Sequence, residues 1–275
     1  MEELSLESLM EFVMNNFIKQ LHSHRSIRKY KNKEVCDDVL DVILEAATCA
    51  STSGNMQAYS IIVSRDKTIK EQMFNAHFEQ TMLMESPVFL TFCADFNRKR
   101  KWLSQNSAAN NFDNYMSFMI ASIDAILASQ NAALAAESLG LGICYMGTTL
   151  ASASEIGKVL DLPENVVPII GFSLGYPDEE PVLKKRLPLK GVVHYEKYND
   201  YSPEAIDEIY AEKNFEGMKR FKNDPKFTKQ LEEFDIENLA QVYTQLKYTE
   251  KSHLEYSKNL LEYLCEQNFL KLNGV

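Results

Sequence analysis

Two short runs of basic residues stand out in an otherwise acidic chain. The first is His24, Arg25 and Arg28, with the Ser26 hydroxyl between them; the second is Lys184, Lys185 and Arg186, just before Pro188. A phosphate monoester carries up to two negative charges and several acceptor oxygens. Fixed guanidinium and ammonium groups beside a hydroxyl or a backbone N–H suit it well. Two such runs, far apart in sequence but each beside a structured element, could close on one phosphate. They could equally be solvated surface charge, and spacing alone leaves both readings open.

Other chemistry is poorly represented. The chain has no GxGxxG, GxxxxGK(S/T) or HExxH motif, and its five histidines contain no i,i+4 pair. A zinc hydrolase, a P-loop enzyme and a simple dinucleotide-binding Rossmann domain therefore lose support. The five cysteines, Cys36, Cys49, Cys93, Cys144 and Cys265, include no CxxC pair. Neither a metal site nor a disulfide framework is expected. Most lie in apolar runs, where a thiol is a small buried hydrophobe, as in a reducing cytoplasm.

The net charge of −10 argues against nucleic acid or an anionic membrane as partner. The acidic start, Met1-Glu2-Glu3, suggests no signal peptide. No stretch reads as a membrane span. The most apolar segment, Met116 to Leu141, is broken by Ser122, Asp124, Ser129, Gln130, Asn131 and Glu137 and reads as a buried helix.

The elements that must position the basic runs follow from periodicity. Apolar spacing predicts helices over Leu4–His22, Val35–Ala47, Asp66–Ala76, Tyr115–Leu139 and Ser152–Leu160. Strands are predicted at Tyr59–Val63, Pro87–Ala94, Leu141–Met146 and Val166–Leu174, and Ser51–Gln57 reads as a loop. Pro87–Ala94 is apolar enough to be buried on both faces. The alternation implies a sheet flanked by helices. After Tyr201 the composition shifts to a charged helical tail. In the Tyr115–Leu139 helix, Ala121, Ala125, Ala128, Ala132 and Ala135 recur at helical spacing. They fit a core helix and a dimer-interface helix equally well.

Several local signatures occur in order between about Ser23 and about Tyr198. They are HRSIRKY, the Ser-rich loop STSGNMQ, PVFLTFCADFNR, AAESLGLGICYMG and GFSLGYP followed by KKRLP. Together they resemble the nitroreductase family, in its flavin reductase P and major oxygen-insensitive nitroreductase group. The resemblance implies an α+β nitroreductase-like fold, a central mixed sheet flanked by helices with a helical C-terminal extension. It implies an FMN-binding domain over residues 1–200, with 201–275 as the extension packed on the same core. It also implies a homodimer with FMN at the interface, NAD(P)H as electron donor, and nitroaromatic, quinone or flavin acceptors.

By matching motif, His24, Arg25, Ser26 and Arg28 are expected to hold FMN. His24 and Ser26 would face the phosphate, and Arg28 the pyrimidine edge. Lys184 and Arg186 match the family's basic phosphate contacts. Thr52, Ser53 and Gly54, with Met56 close by, match positions lining the ribityl chain and ring. Gln80 matches a glutamine at the pyrimidine edge, and Tyr145, Met146, Gly147 and Thr148 a segment beneath the ring. The family usually has Tyr-Ile-Gly-Gly and then an arginine-containing segment; here Tyr145-Met146-Gly147-Thr148-Thr149-Leu150 lacks the second glycine and the arginine. That departure keeps a flavin carrier or sensor without efficient turnover open beside the reductase.

In the chemistry so implied, the flavin carries the hydride and the protein binds and orients it. Arg28 would stabilise negative charge building at the N1–C2=O edge. No side chain is required as general base, so no catalytic residue is assigned, and Asp95, Asp113 and Asp124 are read as structural or surface residues.

Overall fold

The computed structural model describes residues 15–271. Among them, β1 (Tyr59–Ser64), β2 (Val88–Asp95), β3 (Gly142–Met146) and β4 (Val166–Gly175) form one sheet in the order β1-β2-β4-β3. The three neighbouring pairs are antiparallel. The sheet is mixed only through a parallel bridge from Ser26 to Ile143, which carries the HRSIR segment along β3. Every residue of β2 is buried, and all but one of β4. The near-continuous apolar run thus reported burial on both faces, which central antiparallel strands satisfy as well as parallel ones.

Helices cover this sheet: α1 (Asn16–Ser23), α2 (Asp37–Thr48), α3 (Lys67–Ala76), α4 (Met82–Glu85), α5 (Asn97–Gln105), α6 (Tyr115–Ser138), α7 (Thr148–Ala151) and α8 (Ala153–Val159). The start of the helix expected from Leu4 lies outside the described residues; α1 is its described part. Helix α5 (NRKRKWLSQ) was not legible, because it has no apolar stripe and buries no residue.

Helix α6 is the central support. The Asn114 side chain caps it, accepting from the Ser117 N–H at 3.0 Å. Ala121, Ala125, Ala128, Ala132 and Ala136 are fully buried, and such small side chains let the helix approach β2, β4 and α2 closely. By length and composition α6 is also long and apolar enough to cross a membrane, which corrects the reading of this stretch as too broken. Half of its most apolar stretch is buried inside the fold, and Asp124 in its middle is fully buried and hydrogen-bonded. That makes it a core helix.

The chain divides into two compact units: residues up to Leu183 with those from Tyr256 onward, and Lys184–Glu255. In the second, α9 (Pro203–Lys222) is capped by Ser202, with Pro203 in its first turn. Helices α10 (Pro225–Glu233) and α11 (Leu239–Gln241) and a π-helical turn (Val242–Lys247) follow. Met218, Phe221, Leu231, Ile236, Leu239 and Val242 make this unit's own core.

The last helix, α12 (Glu250–Glu266), delivers Tyr263 and Leu264 to the core of the first unit, which Phe269 also joins. There the hydroxyl end of the Tyr263 side chain lies against the backbone of α8 at Gly157. A Cβ added at Gly157 would lie 2.1 Å from the Tyr263 hydroxyl oxygen and 2.9 Å from its ring. Gly157→Ala is therefore expected to displace the ring and destabilise the fold by about 1–3 kcal/mol in urea unfolding. A change within 0.5 kcal/mol would mean that the C-terminal segment is not docked there.

Candidate functional site

The HRSIR segment is held on β3 by its backbone and by two buried side chains. The Ile27 N–H donates to the Ile143 carbonyl at 2.8 Å, and Ile27 and Tyr30 turn inward while Arg28 and Lys29 face out. Gly142 permits the approach: a Cβ there would sit 2.4 Å from Ile27 Cγ1. The Tyr30 hydroxyl is 2.6 Å from the Ile27 carbonyl and 2.7 Å from Ser173 Oγ, and burial raises its pKa far above the usual tyrosine range. Glu179 closes the turn by accepting from the Arg28 and Lys29 N–H groups at 2.5 and 3.1 Å.

The side chains expected to hold a phosphate already have anionic partners. His24 Nδ1 lies 2.5 Å from Glu137, and Arg25 donates to Glu180 at 3.0 Å. The Glu180 side chain is 88% exposed, so that pair is weak and readily exchanged. Arg25 also keeps a buried Nε without a partner among the described residues. The Arg28 guanidinium is exposed and, among the described residues, donates only to the Ser26 carbonyl, at a long 3.3 Å.

The STSGNMQ segment is a loop holding one 3-10 turn, Ser53–Asn55, with Gly54, Asn55 and Gln57 in the left-handed region. Asp124 anchors it from α6. One carboxylate oxygen accepts from the Ser53 N–H at 3.0 Å and the other from the Ala58 N–H at 3.1 Å. The structural reading of Asp124 holds, but the residue is a buried clamp on the expected ribityl loop. Its visible signal was a lone carboxylate among alanines and serines.

Tyr145 and Met146 close β3. The Tyr145 hydroxyl donates to Ser129 Oγ at 3.1 Å, and burial pushes its pKa up to about 12. Gly147 leads into α7, and a Cβ added there would meet nothing within 4 Å. Thr148 opens that helix. Its Oγ1 lies 2.8 Å from His77 Nδ1 and accepts from Gln80 Nε2 at 3.2 Å. His77 is fully buried, and loss of hydration lowers its pKa to about 4, so it is neutral at pH 7. No sequence signal distinguished it from the other histidines.

In the second unit, Lys185 pairs with Glu212, and Arg186 is exposed. Lys190 pairs with Glu208. Within the first unit the structure brings Gln80 to Thr148, and His24 to the end of α6. Two cavities, of about 370 and 540 Å³, are lined by other residues, including Lys31, Arg65 and Lys70 in one and Asp41, Tyr59 and Arg98 in the other.

These features fit a flat phosphorylated heterocycle. Backbone is open to close approach at Gly54 and Gly147, Arg28 offers a free-facing guanidinium, and Arg25 has an unspent buried donor.

Comparison with known proteins agrees. The model of the nitroreductase family matches residues 21–176, and the chain belongs to that family. It is 36% identical over 188 residues to the FMN reductase (NADPH) of Bacillus subtilis (strain 168), covering 68% of this chain and 76% of the relative. With the NADPH-flavin oxidoreductase of Vibrio harveyi it shares 34% over 197 residues, covering 70% and 79%. Among solved structures, the NfrA1 nitroreductase of B. subtilis superposes with a TM-score of 0.76 at 28% identity, covering 92% of this chain and 99% of the other. The NADPH:FMN oxidoreductase of V. harveyi complexed with NAD+ superposes with a TM-score of 0.74 at 28% identity, covering 94% and 100%.

His77 gives a pH prediction. Its folded pKa lies below its unfolded value of 6.5, so the unfolded chain binds the proton first as pH falls. The contribution is whole above pH 6.5 and lost as pH falls through about 4. Over that window His77 should account for about 3 kcal/mol of lost stability. His77→Phe should flatten the stability–pH profile between pH 7 and 4; a profile parallel to wild type would mean that His77 is protonated as easily folded as unfolded.

Proposed function

We infer that the chain is an FMN-dependent NAD(P)H oxidoreductase whose acceptors are small molecules. The observation that carries this is the family match over 21–176, with relatives named for FMN and NADPH at 34–36% identity. Nitroaromatics, quinones and free flavin are the acceptors proposed. When bound, FMN supplies the redox chemistry, accepting a hydride from the nicotinamide and passing electrons to an acceptor that follows it into the same place.

The residues proposed to hold it are those of the family motifs. His24, Arg25, Ser26, Lys184 and Arg186 would bind the phosphate. Thr52, Ser53, Gly54 and Met56 would line the ribityl chain and ring. Arg28 and Gln80 would meet the pyrimidine edge, and Tyr145, Met146, Gly147 and Thr148 would lie beneath the ring. The open backbone at Gly54 and Gly147 supports close packing. Asp124 keeps its loop in place, and Arg28 supplies a positive guanidinium. The exposed thiols of Cys36 and Cys49 suit a reducing cytoplasm.

A homodimer is proposed on α6. Met116, Met119, Ile123, Ile126 and Leu127 are exposed on the helix and recur at helical spacing, with Met116 66% and Ile123 50% exposed. A second copy covers such a stripe by repeating it about a two-fold axis. Ile123→Glu with Ile126→Glu should convert a particle of twice the chain mass to the single chain in sedimentation. A wild-type protein sedimenting as one chain would overturn the assembly.

The activity is tested by absorbance of FMN-loaded protein without oxygen. Flavin bands should bleach on adding NADPH or NADH and return on adding a nitroaromatic or quinone. Bound flavin that neither nucleotide bleaches would make the chain a carrier or sensor; protein unable to take up FMN would overturn the reading.

A further inference from the structure

Thr148 stands where the family usually has glycine, and its hydroxyl is the meeting point of two side chains from the turn after α3. The Gln80 amide N–H donates to Thr148 Oγ1 at 3.2 Å, and His77 Nδ1 lies 2.8 Å from the same oxygen. A hydroxyl has one hydrogen and two lone pairs. Gln80 occupies a lone pair. If the hydroxyl hydrogen goes to His77 Nδ1, the three groups form one directed chain, Gln80 to Thr148 to His77, in which each bond polarises the next. The remaining His77 Nε2–H has no acceptor, but the ring packs edge-on against Phe89, with centroids 5.0 Å apart and planes at 65°. The reverse arrangement would leave a bare nitrogen lone pair and a spare hydroxyl hydrogen, a poorer accounting for a fully buried ring. The neutral state of His77 fits the first arrangement.

The backbone supports the same conclusion independently. Phe78 and Glu79, the two residues between His77 and Gln80, both have left-handed conformations, with φ of 55° and 54°. Such strain in successive side-chain-bearing residues persists where surroundings over-determine it. Here the His77 N–H donates to the Met73 carbonyl at 2.9 Å, and the Phe78 ring stacks on Tyr256 at 5.9 Å. The strained turn brings Gln80 to Thr148.

With one Nε2–H committed to Thr148 the amide plane is fixed, and its carbonyl oxygen, a pure acceptor, has no hydrogen bond among the described residues. The pyrimidine edge of a flavin presents one donor, N3–H, between two carbonyls. We propose that Thr148, backed by His77, is a positioning residue that fixes the Gln80 amide so that its oxygen accepts from the flavin N3–H. The family's glycine has no side chain to do this. The inference rests on the FMN reading above.

The test is a thermodynamic cycle with FMN and 3-methyl-FMN, which lacks the N3 hydrogen, measured as dissociation constants for apo-protein. Wild type and Thr148→Ser, which keeps the hydroxyl, should prefer FMN over the methylated analogue by similar ratios. Thr148→Val, of the same shape without the hydroxyl, should shrink that ratio about 3- to 10-fold, as expected for loss of one oriented hydrogen bond. If Thr148→Val does not fold, Thr148→Ala takes its place. An unchanged ratio in a folded variant that still binds FMN overturns the positioning role. Wild-type protein that binds neither flavin overturns the FMN reading itself.

Discussion

Burial of β2 and β4 on both faces is the constraint on which the first unit depends. Strands without a solvent face need a close, shape-matched cover, and α6 provides it through a file of alanines. The cover must be thin because the face of β2 and β4 that it meets is itself bulky: Phe92 and Phe172 are fully buried in the same cluster as the alanines. Large residues on the strands and small ones on the helix fill one layer without voids. The same arrangement sends the large apolar residues of α6 outward, so packing of the core and an uncovered apolar stripe share a single cause.

The support helix also carries the polar anchors. Asp124 in its middle holds both ends of the 53–58 loop, and Glu137 near its end holds His24. A buried carboxylate is costly unless satisfied, and two N–H donors satisfy this one. Loop and basic segment are thereby referenced to one rigid element. The third piece of the site, Tyr145 to Thr148, continues β3, along which the HRSIR segment runs. A flat ligand bound there would meet groups positioned by strand and helix, while the loop contributes mainly backbone.

Legibility in the sequence followed these physical roles. The four strands were readable because their apolar runs are short and bounded by turn residues; that the first basic segment runs along β3 had no mark in the sequence. Strand direction was hidden, since burial on both faces erases the alternation that marks an antiparallel sheet. Helix α5 was hidden because it buries nothing. The partners of the basic groups, Glu137, Glu179, Glu180 and Glu212, were hidden because they lie far away in sequence and nothing local marks an acid as a partner. The composition shift after Tyr201 marked a real change of character, yet the compact unit begins at Lys184 and ends at Glu255, where no punctuation in the sequence announces it.

The chemistry asked of this protein explains why its most perturbed groups are no acids or bases. Tyr30, His77, Tyr145 and Tyr263 are all pushed by burial toward their neutral forms, and each is neutral at pH 7. A hydrolase would need one such group poised near neutrality and open to substrate. Here the shifts run away from neutrality, and His77 is sealed beneath Thr148. Tyr30, His77 and Tyr145 serve as hydrogen-bonding struts, and Tyr263 as a packing one, each keeping one protonation state across the physiological range. The charge proposed against the flavin edge is the Arg28 guanidinium. A site flanked by such neutral struts leaves the transfer of electrons to the cofactor it is proposed to hold.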